Sequence, residues 1–139
     1  MSVHSRTLTE PARSKISGKE LFAMIRHQDE CRTDYNKNMK GGEGTVSVLN
    51  FITGPEELNG KGRLFAELTL EPGCSIGYHV HEGDSEIYYI LEGTGEYNDN
   101  GEIKTVVPGD VTFCPAGTGH GITNKGTEKI RLIAVIPYV

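Results

Sequence analysis

Two histidines and one glutamate in the middle of the chain have the types and the spacing of metal ligands. One residue separates His79 from His81, and four residues separate His81 from Glu86. Alternate side chains of a β-strand share a face, so an H-x-H pair on a strand directs two imidazoles to the same side. A short turn over residues 82–85 can then bring Glu86 back opposite them. Two imidazole nitrogens and a carboxylate oxygen are donors that suit a transition metal.

A second group of residues, 109–124, surrounds one further histidine with a proline and several glycines. Pro115 and Gly117 favour a bend between two strands, and glycine allows the backbone to approach its neighbours closely. His120 can therefore emerge at the start of a strand with its side chain pointing inward. This arrangement predicts that His120 is a fourth ligand of the same site.

The elements that must position these residues are β-strands. Glycine accounts for 18 of the 139 residues, about twice its usual share, and the apolar segments are short, as in strands joined by tight turns. The Asp-Asn-Gly sequence at 99–101 is a strong hairpin signal. The pattern predicts an all-β sandwich or small barrel of eight or nine strands, with candidates over residues 45–53, 63–71, 75–81, 85–91, 95–98, 103–107, 111–114, 120–124 and 129–136.

The first third of the chain lacks this strand pattern. Residues 1–17 are polar and have no clear period, which predicts a flexible arm or an arm draped over a partner. Residues 18–26 place apolar side chains at helical spacing and predict a short amphipathic helix, and residues 27–44 are interpreted as a turn-rich loop. The predicted organisation is an N-terminal arm and helix over 1–44, packing on the barrel or on a partner subunit, and one β-domain over 45–139.

Charge and hydropathy exclude several classes of protein. The net charge is −5 and the lysines and arginines are scattered, so we expect no binding to nucleic acid or to anionic membranes. The N-terminus has no apolar signal segment, and no window approaches the about 18 consecutive apolar residues of a membrane span. The sequence therefore predicts a cytoplasmic protein.

The cysteine content agrees with a reducing compartment. There are three cysteines at unrelated spacings, Cys31, Cys74 and Cys114, and an odd number argues against a disulfide framework. We expect buried thiols rather than metal ligands. A chain of 139 residues with 36% apolar content can bury enough surface to fold as one domain without such cross-links.

The chain resembles the cupin superfamily, because two signature motifs match at every specified position: Gly73-x5-His79-x-His81-x4-Glu86-x6-Gly93 and Gly109-x5-Pro115-x-Gly117-x2-His120-x3-Asn124. Only the 15 residues of 94–108 separate the motifs, which is similar to small single-domain microbial cupins. The resemblance implies a double-stranded β-helix, the jelly-roll conserved barrel, with two antiparallel sheets. It also implies one divalent transition metal inside the barrel, coordinated by His79, His81, Glu86 and His120.

Strand parity predicts which other side chains share the interior with the ligands. If Glu86 faces inward, Tyr88 and Ile90 do too, and the other apolar residues of that strand face outward, namely Ile87, Tyr89 and Leu91. The same argument places four residues on the side of the inward histidines: Ser75, Gly77, Ile122 and Asn124. The predicted ligand pocket is mostly apolar and is lined by Tyr88, Ile90, Ile122 and Asn124.

Several of these residues allow two interpretations. The Tyr88 hydroxyl can donate to a bound anion or pack against a backbone carbonyl. The Asn124 amide is a weak metal donor and suits hydrogen bonds to the backbone better, and Asp84 suits a solvated turn. An isolated H-x-H pair more often makes ordinary hydrogen bonds than binds a metal, so the metal prediction depends on Glu86 and His120.

Three imidazoles and one carboxylate can hold Mn, Fe, Co, Ni, Cu or Zn and leave one or two positions for water or substrate. Cupins include dioxygenases, decarboxylases, isomerases and binding modules, so the fold does not decide the function. One hypothesis is a metal-dependent enzyme of dioxygenase, decarboxylase or isomerase type that acts on a small carboxylated, keto or sugar-like molecule. The alternative is a non-catalytic ligand-binding or sensing cupin with a metal-anchored anion site. The outward apolar row predicts a homodimer in either case.

Overall fold

The computed structural model describes residues 21–139, which contain ten β-strands and three short 3₁₀ helices. In chain order the strands are β1 (Thr33–Lys37), β2 (Thr45–Asn50), β3 (Gly62–Leu70), β4 (Ser75–Val80), β5 (Glu86–Glu92), β6 (Gly95–Asp99), β7 (Glu102–Val106), β8 (Val111–Cys114), β9 (Gly119–Thr123) and β10 (Ile130–Pro137). The 3₁₀ helices are Gln28–Glu30, Met39–Gly41 and Pro55–Leu58. All nine candidate strands of the sequence are present, with ends that differ by at most three residues.

The strands form two antiparallel sheets that face each other. The six-stranded sheet has the order β1-β2-β3-β10-β5-β8, and the four-stranded sheet has the order β4-β9-β6-β7. Neighbours are often distant in the chain, since β10 lies between β3 and β5 and β9 lies between β4 and β6. The chain thus crosses repeatedly between the sheets, as in the predicted all-β jelly-roll barrel, and the prediction is confirmed.

Alternation along the strands places the core between the sheets. Strand β10 buries every second side chain: Ile130, Leu132, Ala134 and Ile136. The four-stranded sheet contributes Ile76, Tyr97 and Ile122 to the same cluster. Burying each large apolar side chain stabilises the fold by about 1.5–3 kcal/mol, so this shared interior holds the two sheets together and supports the site between them.

Strand β4 departs from the predicted parity because it contains a β-bulge. Its pairing with β9 shifts register between Ile76 and His79. Ile76 is therefore buried beside the cavity, while the Ser75 hydroxyl accepts a hydrogen bond of 2.8 Å from the Glu43 amide. The prediction that Ser75 and Gly77 share the inward face of the histidines is wrong, because an extra residue in a strand exchanges the faces on either side of it.

The helix predicted over residues 18–26 is absent from its described part, because residues 21–27 form neither helix nor strand. A helix of this length is marginal in water and forms only when its apolar face is buried. Here the segment is held instead by Arg26, whose guanidinium donates to the Phe51 carbonyl at 2.7 Å and to the Glu57 carboxylate at 2.7 and 2.8 Å. Tertiary hydrogen bonds therefore decide the conformation of this segment.

Strand β1 lies inside the segment 27–44 that the sequence predicts to be a loop. It pairs with β2 over its whole length, so the six-stranded sheet begins before the predicted domain boundary at residue 45. Nearly all of β1 is exposed, and a polar edge strand lacks the hydrophobic alternation from which strands are predicted. The arm predicted over 1–17 lies outside the described residues.

The cysteines do not form cross-links. All three are free thiols, and of the three expected buried thiols only Cys114 is buried, whereas Cys31 and Cys74 are half-buried. Among residues 21–139, none of the helices has the length and the apolar character needed to cross a membrane.

Candidate metal centre

Strands β4 and β5 bring together the three ligands that are close in sequence. His79 lies in β4, His81 follows the end of that strand, and Glu86 is the first residue of β5. The turn between the strands contains Gly83 with φ +75°, a left-handed conformation that glycine adopts at little cost. The chain reverses within this turn and returns Glu86 beside the two imidazoles, as the sequence predicts.

The turn between β8 and β9 brings His120 to the same place. The Gly117 amide donates to the His81 carbonyl at 2.7 Å, and the His81 amide donates to the Thr118 carbonyl at 3.0 Å. Gly117 has φ +85°, which again favours glycine. These hydrogen bonds hold the turn against the ligand-bearing hairpin, and the pairing of β9 with β4 sets His120 opposite His79.

Four side chains converge at one point between the sheets. The possible ligand atoms of the group lie within 4.8 Å of one another, and the group consists of His79, His81, Glu86 and His120. Glu86 Oε1 lies 2.9 Å from His120 Nε2, 3.1 Å from His81 Nε2 and 3.8 Å from His79 Nε2. The Nε2 atoms of His81 and His120 are 3.1 Å apart. This is the group predicted from the sequence, and it could hold a metal ion.

The second ring nitrogen of each histidine has its own partner, which leaves Nε2 to face the centre. His79 Nδ1 donates to the backbone carbonyl two residues earlier, at 2.7 Å, and His81 Nδ1 donates to Asp84 Oδ1, also at 2.7 Å. His120 Nδ1 lies 2.8 Å from the Tyr97 hydroxyl. Partners of this kind fix the tautomer and the orientation of ligating imidazoles. The donor set and its surroundings therefore fit a divalent transition metal.

Burial and hydrogen bonding set the ionisation of the ligands. Burial opposes the charge of Glu86, but hydrogen bonds with the three histidines outweigh it and hold the pKa of Glu86 well below the usual range of a carboxyl group. Burial lowers the pKa of His120, whereas the hydrogen bond to Glu86 raises the pKa of His81. An ionised carboxylate beside a neutral imidazole is the state that accepts a metal.

A cavity of about 540 Å³ leads to the group from the protein surface. Its lining includes three of the four candidate ligands: His79, His81 and Glu86. The side chain of His79 is 15% exposed, whereas that of His120 is fully buried at 0%. A molecule in the cavity therefore reaches the centre from the side of His79.

The four residues predicted to line the ligand pocket lie in different surroundings. Tyr88 lines the cavity, and its ring stacks on His120 with 4.9 Å between the ring centroids. Burial raises the pKa of Tyr88 well above its usual value, so its phenol is neutral. Ile90 and Ile122 belong to the core cluster and lie outside the cavity lining.

Asn124, the fourth predicted pocket residue, makes hydrogen bonds to the backbone. Its amide nitrogen donates to the Leu70 carbonyl at 2.9 Å and to the Glu128 carbonyl at 2.8 Å. Its oxygen accepts from the Gly126 amide at 3.0 Å. A side chain that satisfies three backbone groups joins the end of β9 to the neighbouring chain segments.

Two residues that support the ligands are missing from the sequence prediction. Asp84, interpreted as a solvated turn residue, is only 7% exposed and bonds both His81 and Arg63, so that interpretation is wrong. Its position three residues after His81 in a tight turn is a local signal that could have been used. Tyr97 has no comparable signal, because β6 reaches His120 only through the pairing of β6 with β9.

Two facing antiparallel sheets with three histidines and a glutamate converging between them define a cupin barrel. The sequence agrees, because residues 66–136 match the Cupin domain family. This segment contains both motifs in full, residues 73–93 and 109–124, and all four candidate ligands. The chain therefore belongs to the cupin family, as the resemblance of the motifs indicates.

Two similar proteins and one similar solved structure each match most of this chain. An oxalate-binding protein from Thermotoga maritima is 41% identical over 118 residues, which are 85% of this chain and 97% of that protein. The crystal structure of a predicted oxalate decarboxylase from Thermotoga maritima has a TM-score of 0.79 and 40% identity, covering 84% of this chain and 100% of that one. A 5-nitrosalicylic acid 1,2-dioxygenase from Bradyrhizobium is 33% identical over 74% of this chain, which spans 51% of that enzyme.

Proposed function

We propose that this cupin binds a small carboxylate through one divalent transition metal, which is held by His79, His81, Glu86 and His120. The observation that carries the proposal is the convergence of three imidazoles and one carboxylate within 4.8 Å at the inner end of an open cavity. When bound, the metal would supply a Lewis acid that attracts carboxylate oxygens. The donor set suits Mn, Fe, Co, Ni, Cu or Zn.

The charges around the cavity support an anionic ligand. The lining contains four cations: Arg32, Lys37, Lys40 and Arg63. It contains two carboxylates, of which Asp34 is paired with Arg32 at 3.1 Å and Glu86 belongs to the metal group. Arg63 is also paired, with Asp84 at 2.9 Å, so four cations face three carboxylates, and this excess positive charge attracts a small anion to the cavity. The similar protein from Thermotoga maritima named as oxalate-binding supports the same class of ligand.

Metal content and ligand binding test this proposal directly. We expect about one divalent metal per chain by elemental analysis, lost on chelation and at low pH because the imidazoles must be neutral to bind it. Isothermal calorimetry should show oxalate binding to the metal-loaded protein and none to the chelated protein. A metal-free preparation that also fails to take up added Mn, Fe, Ni or Zn would contradict the metal site.

A metal-dependent enzyme is the second candidate function. The opening of the cavity beside His79 gives a substrate direct access to the candidate metal position. Decarboxylation of oxalate would consume one proton and release formate and carbon dioxide. Proton NMR detects the formate, an oxygen electrode detects dioxygenase turnover, and either signal must disappear on chelation.

We also propose a homodimer formed through the outer face of the six-stranded sheet. Two apolar rows cross β10, β5 and β8 there: Val135, Ile87 and Phe113 in one row, and Ile133, Tyr89 and Val111 in the next. Phe113 is 58% exposed. A two-fold interface presents the same patch on both subunits, so this face can be covered by its own copy.

Light scattering of the pure protein tests the dimer. We expect twice the chain mass for the parent and the mass of one chain for Phe113→Glu. Ile103→Glu is the matched control, because Ile103 is equally exposed but lies in β7 of the other sheet. A parent protein that is monomeric at tens of micromolar would contradict the dimer and would leave the metal site unaffected.

A further inference from the structure

Arg63, near the start of β3, has a guanidinium that is held on one edge only. Its Nε donates to Asp84 Oδ2 at 2.9 Å, and its two Nη groups have no hydrogen-bond partner in the described part of the chain. The side chain is 43% exposed and lines the cavity. The two Nη groups of this rigid, permanently charged guanidinium are therefore available to an anion in the cavity.

Asp84 fixes this arginine relative to the metal ligands. Its Oδ1 accepts a hydrogen bond of 2.7 Å from His81 Nδ1, and its Oδ2 accepts the bond from Arg63. The carboxylate is buried, and its backbone pairs with Tyr138 near the end of the chain. Guanidinium, carboxylate and imidazole thus follow one another in one hydrogen-bonded series that links Arg63 to the metal group.

The other cations of the cavity lack a buried anchor. Arg32 donates from Nε and one Nη to Asp34, at 3.1 to 3.2 Å, but both side chains of this pair are exposed, 60% and 42%, whereas the side chain of Asp84 is only 10% exposed. Lys37 and Lys40 are exposed at the opening, where a flexible ammonium fixes no direction. Among the cations that line the cavity, Arg63 is the one built to bind an anion in a defined geometry.

We propose that Arg63 binds the second carboxylate of a dicarboxylate whose first carboxylate lies at the metal. The site then selects small dianions over monocarboxylates, and the separation of Arg63 from the metal sets the preferred length. This inference rests on the proposed function and specifies its ligand. An arginine and a carboxylate form two parallel charge-assisted hydrogen bonds, so we expect their loss to weaken binding by about ten- to hundredfold.

Calorimetry with metal-loaded protein tests the assignment. The probes are acetate as a monocarboxylate and the unbranched dicarboxylates from oxalate to glutarate. Arg63→Met should weaken the best-bound dicarboxylate by about ten- to hundredfold and change acetate binding by less than about threefold. Arg63→Lys should recover only part of the loss, because an ammonium cannot bind both carboxylate oxygens in the plane of a guanidinium.

Arg32→Met is the matched control, since it removes a cavity cation that is already paired, and we expect parent-like dicarboxylate binding. Elemental analysis and thermal melts must show that each variant is folded and carries the parental amount of metal. Unchanged dicarboxylate binding in Arg63→Met overturns the inference, as does an equal loss for acetate and dicarboxylates. A metal-loaded parent that binds neither kind of probe overturns the proposed function itself.

Discussion

His79 and His120 direct the same nitrogen at the candidate metal position, yet they belong to different regions of the molecule. His79 stands on the cavity wall, partly exposed and held by a backbone carbonyl. His120 lies in the core, fully buried, with its second nitrogen at the Tyr97 hydroxyl and its ring stacked on Tyr88. The open half of the site is set by local geometry in β4, and the buried half is set by packing between strands.

This difference separates the contribution of a histidine to metal affinity from its contribution to fold stability. On the open side, a histidine can be removed without leaving a hole in the core, so metal affinity and fold stability vary independently. On the buried side, the same substitution empties part of the interior and leaves the Tyr97 hydroxyl without its partner. Ligand chemistry and folding are therefore coupled at His120 and uncoupled at His79.

The largest expected effect comes from comparing His120→Ala with His79→Ala. Both variants should lose about 100-fold or more in metal affinity, because removal of a ligand exceeds the loss caused by its supporting residues. In the metal-free protein, His120→Ala should lower the free energy of unfolding by about 2–4 kcal/mol through the cavity it creates. His79→Ala should lower it by less than about 1 kcal/mol.

Urea denaturation of the chelated proteins, together with calorimetric metal titration, measures both quantities. Glu82→Ala serves as the control, since Glu82 is exposed in the same turn and lies outside the ligand group. Equal stability of the two metal-free histidine variants would contradict the prediction that only the buried histidine supports the fold.

Gly77→Ala tests how far the open half of the site depends on close backbone packing around β4. A Cβ at Gly77 would overlap the Lys40 carbonyl and would lie 2.9 Å from the Gly42 amide. The 3₁₀ helix Met39–Gly41, which forms part of the cavity wall, must then shift. We expect a loss of about 1–3 kcal/mol in the free energy of unfolding and weaker carboxylate binding. Gly126→Ala, where a Cβ meets only an ordinary 3.5 Å contact, should change neither property.

Tyr97→Phe tests how the buried half orients its ligand. Removal of the hydroxyl leaves His120 Nδ1 unpaired in the interior, so we expect about tenfold weaker metal binding and about 1–2 kcal/mol lower stability. Tyr78→Phe is the control, because that hydroxyl is exposed and 3.5 Å from its nearest polar partner. Metal affinity equal to that of the parent in Tyr97→Phe would mean that packing against Tyr88 alone orients the imidazole.

Glu57→Gln provides a variant away from both halves and has the smallest expected effect. The hydrogen bonds from Arg26 lower the pKa of Glu57 from 4.5 to about 2. A depressed folded-state pKa contributes stability above the unfolded pKa, and this contribution is lost as the pH falls from 4.5 through about 2. At pH 7 the variant should be about 1–2 kcal/mol less stable, and metal affinity should be unchanged. Urea denaturation of both proteins at several pH values should show their stabilities converging across that window, and a constant difference would contradict the pKa assignment.

The fold and the metal group were predictable because their signals are local. Turn residues and hydrophobic alternation identify β2 to β10, and the spacing from His79 to Glu86 lies within one hairpin. Strand β1 was not predicted, because it is polar on both faces. Its conformation depends on its pairing with β2. The described part of the helix expected over residues 18–26 is not helical, because the contacts of Arg26 override a weak local preference.

The sequence by itself determined the class of fold, the four candidate ligands and the membership of the cupin family, since residue types and short spacings carry that information. Tertiary structure alone decided which nitrogen of each histidine faces the centre, that Asp84 joins Arg63 to His81, and that Tyr97 supports His120. These contacts depend on strand register and on one β-bulge in β4. Residues far apart in the chain come into contact only when the strands have paired into sheets. No local sequence pattern can therefore predict these contacts.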